Sequence, residues 1–168
     1  MIMLIQPAIQ AILSPYAGAL SDRVDSRILA SWGMAITTAG LLVFSYISPD
    51  FPIWLVAANL ALLGIGFGLF SSPNSNAIMG SVDRKFYGVA SSTLATMRTV
   101  GQAISMAVVT LILTLHLGDT LLVPALSAEF VLSARTACLV FTIICGGGIF
   151  ASLARGKTVR EEHERRNV

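Results

Sequence analysis

Charge is what this 168-residue sequence has least of, with 11 basic and 9 acidic residues making up 12% of the chain. That is roughly half the share in an ordinary globular protein. The charges also cluster, leaving uncharged runs at 1–21, 28–49, 51–82, 99–118 and 136–154. A run of about 18 predominantly apolar residues is enough to cross a bilayer. A soluble protein built on one large core is excluded, because the surface left after packing five such segments would have to face hydrocarbon. Cysteine and histidine are scarce too. Cys138 and Cys145, seven apart on one helix face, and the two histidines, His116 and His163, give neither a disulfide framework nor a zinc-ligand spacing. The chain lacks a Gly-x-Ser-x-Gly elbow, an H-E-x-x-H pair and any carboxylate pair within the apolar runs, which argues against an intramembrane enzyme. No metal or cofactor is expected. The basic residues sit in short turns and a tail rather than in a stripe, so no nucleic-acid partner is expected either.

What is present is length and apolarity. The pattern predicts an all-α, polytopic transmembrane bundle, residues 1–154, with spans at about 1–20, 28–47, 52–74, 87–115 and 130–153. Residues 155–168 form a charged tail. Arg23, Arg27, Arg84, Lys85, Arg155, Lys157, Arg160, Arg165 and Arg166 all fall in the first loop, the third loop and the tail, and the other side has no Lys or Arg. By the positive-inside rule those loops and the C-terminus are cytoplasmic, in a multi-pass protein of the cell membrane, and five spans put Met1 outside. The first segment lacks the basic start and small-residue cleavage site of a signal peptide. A chain that starts outside without one is expected to be the end of something longer.

The loop between the first two spans reads Gly18-Ala19-Leu20-Ser21-Asp22-Arg23-Val24-Asp25-Ser26-Arg27. Small residues there let backbones approach, Asp22 suits helix-start N–H groups, and Arg23 and Arg27 can bridge to neighbouring helix ends. The spacing G-x-L-x-D-R-x-x-x-R resembles the cytoplasmic signature loop of the major facilitator superfamily in its second-half copy. Gly18, Leu20, Asp22, Arg23 and Arg27 match that loop, and Asp25 stands where the family has a second Gly. The stretches Gly64–Ala77 and Gly88–Ala103, with their Asn-Ala and Arg-x-x-Gly segments, resemble the fourteen-helix drug:proton antiporter branch, whose last five helices the chain would match. The resemblance implies a proton-coupled efflux carrier working by alternating access on drug-like or amphipathic cationic molecules. Its other helices would be partners, and this chain would supply one cavity wall and a cytoplasmic latch.

Polar residues inside spans are costly and tend to face a cavity or another helix. Arg98 lies about 16 Å into the fourth span, near the midplane, where a guanidinium needs water, an anion or a carboxylate. Gln102, one turn on, extends a polar stripe with Ser91 and Ser105. Arg98, Gln102, Asn74, Asn76 and Asn59 are the cavity or gating candidates, with a hydrogen-bond anchor between helices an equal alternative for Arg98 and an inter-helix hydrogen bond favoured for Asn59. Gln6 and Gln10 form an i,i+4 pair facing the bundle or a pore, and Arg135 is expected to snorkel to the outer interface. Gly64 and Gly68 form a G-x-x-x-G packing face, joined by Gly101, and Pro73 is expected to kink or end the third helix. No Asp or Glu falls inside a span, so a coupling carboxylate has to come from other helices. The competing expectation is a non-transporting membrane protein that packs with another multispanning protein.

Overall fold

The computed structural model describes residues 2–21, 24, 26–48, 51–117 and 127–154. A 3-10 turn, Ile2–Leu4, leads into α1 (Ile5–Ser21), followed by α2 (Ser26–Ser45) and α3 (Ile53–Gly80). A second 3-10 turn, Arg84–Phe86, opens α4 (Tyr87–Leu117), and α5 (Ser127–Ala154) follows. Among the described residues the structure is all-helical, with five helices long and apolar enough to cross a membrane.

The third helix holds the bundle together. It is apolar all round, as suits a helix with protein or lipid on every side, and it packs against α1 on one flank and α2 on another. α5 lies against α2, and α4 leans mainly on α5 with only a light contact to α3. The buried residues of α3 are Asn59, Leu63, Gly64, Gly66, Gly68 and Pro73. Small residues dominate because helix association in lipid is driven by close backbone packing rather than by exclusion of water. A methyl group at Gly64 would sit 2.7 Å from the Gln6 carbonyl oxygen of α1, and one at Gly33 of α2 would sit 2.6 Å from the Phe70 backbone nitrogen.

Two expectations about the elements need correction. Pro73 does not end the third helix, which runs to Gly80, six residues past the expected end at 74. Proline removes a single N–H, so only the bond to the Leu69 carbonyl is lost, and the helix resumes around the fully buried ring. Gly101 does not pack helices within this unit, since a Cβ there would meet nothing within 4 Å. The charged tail at 155–168 lies outside the described residues.

Candidate functional site

Two neighbouring stripes of α3 organise the polar residues near its C-terminal end. Ser71 and Ser75, one turn apart, face α4, and Ser72 and Asn76, also one turn apart, face α1. On the first stripe, Nη2 of Arg98 donates to the Ser71 hydroxyl at 3.2 Å and to the Ser75 hydroxyl at 3.0 Å. Ser75 in turn donates to the Ser71 carbonyl at 2.8 Å, which fixes its rotamer with a lone pair toward the guanidinium. The side chain of Arg98 leans toward the start of α4, as helix side chains do. Its head group therefore lies level with Ser71 and Ser75, about 8–14 Å from the end of α3.

Gln102, one turn further along α4, is exposed and makes no hydrogen bond among the described residues. Asn74 is half-buried beside Pro73, also without a hydrogen bond among the described residues. The structure thus brings Arg98 together with Ser71 and Ser75, neither of which the sequence singled out as its partner. Their i,i+4 spacing was a usable signal, because it puts two hydroxyls on one face.

Asn76 goes elsewhere. Its amide donates to the Ser21 hydroxyl at 3.0 Å, and Ser21 donates to the Gly18 carbonyl at 2.7 Å. A Cβ at Gly18 would stand 3.0 Å from the Ser72 hydroxyl, so the end of α1 rests directly on α3. Asn76 and the signature-loop residue Gly18 are therefore one constellation, separate from Arg98. Leu20 is 43% exposed. Asp22 and Arg23 lie outside the described residues, as does the side chain of Arg27. Asn59, 5% exposed, donates to the Gly40 carbonyl of α2 at 2.9 Å. It lies about 18 Å along α3 from Ser71, too far to share that site.

Gln6 and Gln10 are half-buried, with their backbones against Gly64 and Gly68. The G-x-x-x-G face is thus where α1 crosses α3. Gly66 and Gly33 make the equivalent crossing between α2 and α3, and Gly40 lies against Leu63. Arg135 does not simply snorkel. From α5 its Nε donates to the Ile47 carbonyl and its Nη2 reaches the Tyr46 carbonyl at 3.5 Å, satisfying carbonyls left open just past α2.

Long apolar helices joined by short turns and packed through glycine define a multi-pass membrane protein. The chain belongs to the Major Facilitator Superfamily, whose model matches residues 1–168. It is 38% identical over 137 residues to the uncharacterized transporter YebQ of Escherichia coli, covering 79% of this chain and 29% of that protein. Riboflavin transporter RibZ of Clostridioides difficile is 31% identical over 106 residues, 63% of this chain and 23% of that protein. Multidrug resistance protein Stp of Mycobacterium tuberculosis is 32% identical over 111 residues, 66% of this chain and 20% of that protein. The chain therefore spans less than a third of the length of these relatives. No solved structure matches the chain. The family is one of transporters, not enzymes.

Proposed function

We propose that the chain forms the C-terminal helices of a proton-coupled efflux carrier of the fourteen-helix drug:proton antiporter branch. It resides in the cell membrane with its tail and its first and third loops in the cytoplasm. The observation that carries this reading is the exposed polar face of α4. Arg98 and Gln102 project there from a helix that, among the described residues, packs mainly on α5 and lightly on α3. A guanidinium and an amide facing lipid are costly, so this face fits protein or a water-filled cavity far better. In this carrier Arg98, Gln102 and Asn74 contribute one cavity wall. The end of α1, held through Gly18, Ser21 and Asn76, forms part of a latch with Asp22, Arg23 and Arg27, and the two bundles rock around a central site. Proton coupling uses a carboxylate on helices outside this segment.

The substrates are drug-like amphipathic molecules. Relatives named for riboflavin transport and multidrug resistance support a carrier of small organic molecules. The cationic class follows from the resemblance, and acidic groups on other helices would receive the cation. The test is proton-gradient-driven ethidium transport in membrane vesicles from cells that express the chain together with the remaining helices of the carrier, with and without nigericin to collapse the gradient. Extrusion above host background that stops with nigericin supports the carrier. No gradient-driven extrusion of ethidium or of a neutral amphipath sinks it, and leaves a protein that packs with another membrane protein.

A further inference from the structure

A guanidinium carries five N–H donors, and Arg98 uses only its Nη2 toward α3, with one N–H for each of two serine hydroxyls. The N–H groups of Nε and Nη1 have no hydrogen-bond partner among the described residues, and the side chain is exposed. The spans contain no Asp or Glu, and the one ion pair among the described residues is Lys85–Asp83, in the turn before α4. Among the described residues the cation is thus held in place by two hydroxyls and no carboxylate, with its unused edge turned away from α3. Hydroxyls accept from a guanidinium without neutralising it, so the full positive charge stays available, as it would not beside a carboxylate. Gln102 adds a free amide one turn along the same face of α4.

We propose that Arg98, oriented by Ser71 and Ser75, is a seat for an anionic group, such as a carboxylate, on the transported molecule. The wall supplied by this chain then selects for a negative end on an amphipathic ligand. The proposal rests on the carrier reading but replaces its cationic substrate class with a ligand that has a negative end, so its test is separate from ethidium extrusion. Ser71 and Ser75 are positioning residues and Arg98 is the binding residue.

The experiment places the full chain in phosphatidylcholine nanodiscs and follows fluorescence anisotropy of carboxyfluorescein, an anion, and rhodamine 123, a cation of similar shape. Carboxyfluorescein is expected to bind and rhodamine 123 not to compete. Arg98→Gln is expected to weaken the anion about tenfold or more, as loss of a charged hydrogen bond does, with circular dichroism unchanged. Arg98→Lys keeps the charge at the same depth and is expected to retain part of the binding, which guards against a folding defect. The double variant Ser71→Ala, Ser75→Ala frees the guanidinium and is expected to weaken binding several-fold. Equal binding of the two dyes, no binding of carboxyfluorescein, or an Arg98→Gln chain that binds as well as the parent overturns the proposal. Displacement of the anion when phosphatidylglycerol replaces phosphatidylcholine assigns the seat to a lipid headgroup and overturns it as well. Ethidium extrusion that persists while these arms fail refutes the anion seat alone, whereas loss of extrusion refutes the carrier.

Discussion

Arg98 and Arg135 lie well inside apolar helices of this chain, and their partners set them apart. Arg135 donates to main-chain carbonyls of residues 46 and 47 just past α2, groups with no other hydrogen bond among the described residues. A cation there also meets the negative pole of the helix dipole, an arrangement that contributes about 0.3–2 kcal/mol. Arg135→Ala is therefore expected to destabilise the protein by about 1 kcal/mol in mixed-micelle unfolding. It should also speed amide exchange at Tyr46 and Ile47, whose N–H groups bond to Val43 and Phe44. Unchanged exchange at those two amides would show that the cap contributes nothing. Asn59 offers a second single-residue test. Its bond to the Gly40 carbonyl is buried between α2 and α3, and inter-helix bonds of this kind average about 0.6 kcal/mol and reach about 1.7. Asn59→Leu, with the same heavy-atom branching, is expected to cost about 1 kcal/mol in the same assay, because it removes the donor and leaves no cavity.

At the scale of elements, glycine separates packed faces from open ones. Gly66 lies where α3 meets Thr37 and Gly33 of α2, with no room for a methyl group, while Gly101 on α4 has open space beside it. Gly66→Ala is expected to push α2 from α3 and cost about 1–3 kcal/mol, the usual effect of overpacking. Gly101→Ala is expected to be neutral or to stabilise α4 by about 0.5–1 kcal/mol through helix propensity. Equal losses at both positions, measured by thermal unfolding of the chain, would mean that α4 is packed as tightly as α3. The sequence explains why the two could not be told apart beforehand. Apolar run length alone sets where helices lie, so all five were legible, and the G-x-x-x-G spacing marked a packing face. Which partner each glycine meets depends on how helices cross, and no periodicity encodes that. The same holds for Arg135, whose carbonyl partners lie 88 and 89 positions earlier in the chain, and for Asn76, which reaches Ser21 across 55. Arg98 was legible as an oddity because a cation within an apolar run stands out. Its serine partners were legible only as a spacing.

For the molecule as a whole, the distribution of charge and the helix order make a joint claim about orientation. Helix α3 runs from Ile53 to Gly80, so Ser48 before it and Ser81 after it lie at opposite ends of one span. The turn after Ser81 carries Arg84 and Lys85, while the turn at Ser48 has no basic residue. By the positive-inside rule Ser81 is expected in the cytoplasm and Ser48 outside. Both sites flank structure rather than supporting it: Ser81 is exposed, and its hydroxyl bonds only to the Ile78 carbonyl. Single cysteines at Ser48 and Ser81, in a chain with Cys138→Ala and Cys145→Ala, therefore report sidedness without dismantling a helix. A membrane-impermeant maleimide applied to intact cells is expected to label Ser48→Cys at once and Ser81→Cys only after permeabilisation. The reverse order would invert the bundle and put the Gly18–Ser21–Asn76 contact outside. Every assignment of a cytoplasmic latch would then fall, although the helix packing through α3 would stand unchanged, since it depends on which helices touch and not on which side they face.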